Sequence, residues 1–136
     1  MDPNAAQTKA LRLVYWIAWA SILGGLLLIY VFLARPEAKP APASDVLRNL
    51  IGIVPLFVSI IIRWLVLPRY TELARALPVF IVGLALAEAC GILGIFLGGP
   101  YQDDLFVLGV LGVTQYVPLF IAKLLRPAPG NFIPNN

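Results

Sequence analysis

The sequence predicts an all-α integral membrane protein whose four transmembrane helices pack as a small antiparallel bundle. Three observations predict it. Apolar residues make up 60% of the 136-residue chain and charged residues only 12%, where an ordinary soluble domain carries about 25%. Mean hydropathy is +0.88, and so few charges cannot coat a globule of this size and keep it dispersed. The apolar residues fall into four runs, each near the ~20 residues a helix needs to cross a bilayer. None of the runs alternates with period two, as a membrane barrel strand would.

Taken in order, residues 1–12 form a cytoplasmic N-terminus with Lys9 and Arg12. Residues 13–33 are the first span and hold no charge. Ala41-Pro42-Ala43 looks like a signal-cleavage site, but the preceding apolar run exceeds the ~7–15 residues of a signal core, so the segment is expected to stay as a span. Residues 34–49 are an outer loop rich in Pro and Ala, unable to remain helical. Ser44 and Asp45 stand in it as caps for the next helix. Residues 50–67 are the second span, interrupted by Arg63 and containing Pro55. Residues 68–76 are a basic cytoplasmic link. Residues 77–97 are the third span, with one acid, Glu88. Residues 98–104 are a short outer loop whose Asp103 and Asp104 suit the positive end of the fourth helix. Residues 105–125 are that fourth span, with Pro118 inside it and Lys123 at its exit. Residues 126–136 are an irregular cytoplasmic tail. The two internal prolines are expected to shape the bundle by kinking their helices.

Orientation follows from the distribution of Lys and Arg beside the spans. Lys9, Arg12, Arg63, Arg69, Arg75, Lys123 and Arg126 share one side, and Arg35, Lys39 and Arg48 the other, seven against three. Both termini are therefore expected in the cytoplasm of a cell, most simply at a bacterial inner membrane. Trp16, Trp19 and Trp64 fall toward the same side, as an interfacial belt would; Arg63, near that end, is expected to snorkel outward.

Helices in lipid associate through close backbone approach and interhelical hydrogen bonds. At 100° per residue, Gly83, Ala87, Gly91, Gly94 and Gly98 fall within an arc of roughly 80° on the third span. Ala18, Ser21 and Gly25 form a shorter set on the first, and Gly109 and Gly112 on the fourth. The groove is expected to serve packing within the chain; a sharper reading makes it a docking face for another subunit.

Glu88 is the one acid within a span, and a charge at mid-bilayer costs roughly 3 kcal/mol. A neutral, hydrogen-bonding carboxyl is expected there. Counted from the outer ends of the spans, Glu88 and Ser59 lie about nine residues deep, Gln115 about ten and Ser21 about twelve, with Thr114 next to Gln115. These five residues make a candidate mid-membrane polar layer, with Glu88 and Gln115 the best-matched pair. Such a layer either fixes helix register, at ~0.6–2 kcal/mol per bond, or binds a proton or cation.

The string GLALAEACGILGIFLG, which places Glu88 among small residues, resembles the carboxylate-bearing helix of rotary ATPase proteolipid subunits. The resemblance implies an ion-carrying Glu88. It covers one helix of four, and the glycine-rich partner helix of that family has no counterpart in IGIVPLFVSIII.

Other classes find little support. The Lys and Arg residues are dispersed, whereas nucleic-acid binding wants a basic face. There is no histidine and one cysteine, Cys90, so the commonest general base and metal ligand is missing. No HExxH, GxSxG or phosphate-loop motif occurs. No catalytic residue, metal or cofactor is expected. The reading the sequence favours is a structural or accessory membrane subunit, in contact with lipid and either self-associating or bound to other membrane proteins. The alternative is a small proton- or cation-coupled transporter or channel using Glu88.

Overall fold

The computed structural model describes residues 3–34, 51–97 and 101–120 of the chain, the side chains of 3–5 and 120 excepted. Four helices and no strand occur among the described residues. The expected caps Ser44 and Asp45, Gly98, Lys123 and the C-terminal tail lie outside them.

Helix α1 runs Pro3–Leu33. Its proline opens the first turn, where no backbone donor is needed, and nothing after it interrupts the ladder for 31 residues, about 46 Å. Helix α2 runs Ile53–Ile61. Pro55 sits in its first turn, where a missing N–H breaks no bond, and so does not act as the mid-span kink expected from the sequence. The chain then widens into a π-helical turn, Ile62–Val66, in which the Leu67 N–H bonds the Ile62 carbonyl. A 3-10 turn, Leu67–Arg69, follows. Pro68 lacks the donor that would continue the helix, and Tyr70 is extended.

Helix α3 runs Leu73–Leu97 and carries Pro78 near its start without breaking. Helix α4 runs Gln102–Thr114, with Asp103 and Asp104 in its first turn. It stops well short of the 125 expected for the fourth span, and Pro118 accounts for the stop. Proline disfavours a helical residue before it and clashes with the carbonyl four residues back, which is that of Thr114. The backbone closes instead in short turns, Tyr116 N–H to Val113 O at 3.0 Å and Val117 N–H to Thr114 O at 3.0 Å. A 3-10 turn, Pro118–Phe120, follows.

Contacts fix the relative directions. Ser59 of α2 meets Gly83 of α3, and Leu56 clusters with Cys90, so α2 and α3 are antiparallel. Going down α4, residues 105, 109 and 112 face 94, 91 and 87 of α3, again antiparallel. Tyr15 of α1 reaches Leu73 and Leu26 reaches Gly91, so α1 runs with α3. Helix α3 touches each of the others. Around it Tyr15, Leu26, Phe80, Leu84, Ala87, Val113 and Tyr116 are fully buried. Tyr15 packs on Phe80 with ring centres 4.6 Å apart, and Phe80 meets Tyr116 edge-on at 5.7 Å.

Among the described residues, two helical stretches are long and apolar enough to cross a membrane, Ala6–Leu33 and Leu73–Leu97. The second has 44% of its most apolar stretch buried and the first 6%. The outward faces are strongly apolar on every helix: Leu13, Ile17 and Val31 on α1, Val54, Phe57 and Ile61 on α2, Val82 and Phe96 on α3, Val107 and Leu111 on α4.

Candidate functional site

The inward polar groups meet where α2, α3 and the end of α4 converge. Ser59 is fully buried and its hydroxyl donates to the Gly83 carbonyl at 2.7 Å. The Tyr116 hydroxyl donates to the Ser59 carbonyl at 2.6 Å. Gly83 makes this possible, because a Cβ there would collide with the Tyr116 hydroxyl. Three chain segments are thereby joined through two hydroxyls and two main-chain carbonyls.

Around the break after Thr114, side chains of other segments donate to main-chain carbonyls. Trp19 Nε1–H of α1 donates to the Val113 carbonyl at 3.0 Å. Arg63 Nε–H, in the π-helical turn after α2, donates to the Gln115 carbonyl at 2.8 Å. The π-helical turn holds Arg63 in place for this, since an extra residue per turn rotates the side chain relative to an α-helix. Arg63 therefore turns into the bundle rather than snorkelling outward, because a free carbonyl at the helix break lies within its reach. Trp19 likewise faces inward, while Trp16 and Trp64 remain exposed. One turn before Trp19 on α1, Tyr15 donates to the Leu73 carbonyl at 2.8 Å. Tyr30 donates to Asp103 at 2.8 Å and stacks on Phe106 at 3.8 Å.

The five residues expected to form one polar layer are not brought together. Facing pairs along α3 and α4 are 83 with 116, 87 with 112, 91 with 109, and 94 with 105. By that register Glu88 is level with residues 111–112, and Gln115 lies about one turn, ~5 Å, nearer the other end. Counting inward from 97 and 105 misplaced the pair because α4 begins at Gln102, within what the sequence reads as loop. Gln115 Nε2 is buried without a hydrogen-bond partner among the described residues. It borders a groove of about 220 Å³ lined by Leu56, Ile60, Leu108, Leu111 and Gly112. Thr114 donates to Leu111 O of its own helix at 2.8 Å. Ser21 is exposed on α1. Glu88 is half-buried and lies on the α1 side of α3, where a Cβ on Gly25 would stand 3.8 Å from its Oε1. Of the five, Ser59 alone bonds across to another helix.

Gly83, Ala87, Gly91 and Gly94 are all buried, and α4 lies along them. A Cβ on Gly109 would stand 2.6 Å from the Gly91 backbone, and one on Gly94 would stand 2.6 Å from Leu105. The seam is thus filled from within the chain. Sequence reading passed over Tyr15 and Tyr116, placed Trp19 in an interfacial belt, and did not find the inward turn of Arg63. The usable signal was chemical: a tyrosine or tryptophan inside an apolar run must find a hydrogen-bond partner when it is buried. Among the described residues, no group of three or more His, Cys, Asp or Glu could hold a metal ion. No protein-family model, no curated protein and no solved structure matches the chain.

Proposed function

We propose that the protein is a four-span membrane protein of a cell membrane, a bacterial inner membrane by the simplest reading, with both ends cytoplasmic. In this reading it serves as a structural or accessory subunit that packs against other membrane proteins or against itself. One observation carries the proposal. The interhelical polar bonds of Tyr15, Trp19, Ser59, Arg63 and Tyr116 end on main-chain carbonyls. Side chains spent in that way clamp helices to one another and do not line a common path. The outside is meanwhile apolar on all four helices, a surface that lipid and other membrane helices solvate and water does not. Residues 53–69 reach ~25 Å and α4 ~20 Å at 1.5 Å per residue, so α4 needs the chain beyond its break to complete a crossing.

The test is purification from the native membrane in mild detergent, with mass spectrometry of what accompanies the chain. A stoichiometric membrane-protein companion, or a defined homo-oligomer without transport activity, is the expected result. The second reading, proton or cation carriage, draws on Glu88, a half-buried carboxyl in the middle of α3. Flux into proteoliposomes above that of empty liposomes, lost in Glu88→Gln, establishes that reading and displaces the first.

A further inference from the structure

Glu88 is the one charged residue of α3 beyond its first turn, and among the described residues it makes neither a hydrogen bond nor an ion pair. The single ion pair there joins Arg75 to Glu72 at 2.9 Å. The described cations are out of reach. Arg63 is committed to the Gln115 carbonyl on the α2 side of the bundle. Arg75 lies about 20 Å away along α3, and Arg12 is as far along α1 from Gly25. A carboxyl at this depth is costly unless paired, and acids inside membranes pair with cations or carbonyls.

The ground beside it is open. Gly25 faces Glu88, and Ser21 and Gly24 continue around α1 from Gly25 through an arc of about 100°. Nothing lies within 4 Å of where a Cβ on Gly24 would stand, and Ala20 and Ser21 are exposed. Ala20 and Gly24 are four apart, the spacing at which small residues let a second helix approach the backbone closely. Charge says which helix. A second copy of the chain would bring another acid beside the first and no described cation at that level, so Glu88 would still lack the cation that an acid at this depth calls for.

We propose that Ser21, Gly24 and Gly25 of α1, with Glu88 at their edge, form a docking face for a membrane helix of another protein that carries a lysine or arginine at mid-depth. The proposal rests on the accessory-subunit reading and names the partner's chemistry. The cationic side chain enters beside Gly25, where the absent side chain leaves room, and pairs with the Glu88 carboxyl. The partner's backbone lies along Ala20 and Gly24.

The experiment uses the full chain in phosphatidylcholine vesicles with two synthetic single-span helices. Both are polyleucine, one with a central lysine and the other with leucine at that position, and association is read by fluorescence transfer. The lysine helix should associate about tenfold more tightly. Glu88→Gln should bring it down to the leucine level. Gly24→Leu should do the same without lowering the thermal midpoint in detergent, because its Cβ points into open space. Equal association of the two helices overturns the proposal, as does a lysine preference that survives Glu88→Gln. Self-association without either helix, abolished by Glu88→Gln, assigns the face to a second copy and also overturns it. A native companion that stays bound to the Glu88→Gln protein defeats this proposal while leaving the accessory reading in place, so the two failures are told apart.

Discussion

Ser59 and Glu88 are both polar residues in the middle of apolar helices, yet their surroundings give them opposite energetic standing. The Ser59 hydroxyl and carbonyl both bond across the bundle, to Gly83 and Tyr116, so removing either hydroxyl deletes a buried hydrogen bond between chain segments. Ser59→Ala and Tyr116→Phe should each lower stability by about 0.6–2 kcal/mol. They share one node, so the double variant should depart from additivity by about 0.5 kcal/mol or more. Glu88 and Gln115 are a turn apart in depth and should be additive. Denaturant titration of both cycles in mixed micelles checks this. Coupling between Glu88→Ala and Gln115→Ala as large as that at Ser59 and Tyr116 would contradict the register described above.

At the scale of elements, the seam between α3 and α4 is a contact of backbones. Gly109→Ala places a methyl against the Gly91 main chain, which cannot give way as a side chain can. A loss of about 1–3 kcal/mol is expected from such overpacking. Gly24→Ala, facing open space, should cost nothing, and thermal midpoints in detergent would rank the two. The break in α4 supplies a second comparison. Arg63→Met removes a charged donor from the Gln115 carbonyl and should cost about 1.5–3 kcal/mol. In a Pro118→Ala background the helix can continue and use that carbonyl itself, so the same change should cost less. The sequence carried the seam plainly, because helical periodicity puts Gly83, Ala87, Gly91 and Gly94 on one face and no tertiary knowledge is needed to see it. It did not carry the depth of Glu88 relative to Gln115. That depends on where the turn between α3 and α4 closes, and the apolar run alone does not mark that point, since α4 starts on the polar residues Gln102, Asp103 and Asp104. The inward turn of Arg63 was hidden for a similar reason: the π-helical turn that aims it and the carbonyl it finds belong to two different helices.

For the whole molecule, the orientation proposed above is open to a direct chemical test. In a Cys90→Ala background, single cysteines at Ala38 and Gln102 should react with an impermeant maleimide in intact cells, and one at Thr71 should not. Labelling at Thr71 would invert or break the arrangement. The central place of α3 has a further consequence, for the order in which the chain is made. Helices α1 and α2 barely touch one another, and each packs chiefly on α3 and α4. Ser59 must wait for Gly83, Arg63 for Gln115 and Trp19 for Val113, all of which leave the ribosome later. The first half of the protein therefore emerges as two strangers carrying unmet polar groups, and a ribosome stalled before α3 leaves quality-control proteases a substrate that cannot yet hold itself together.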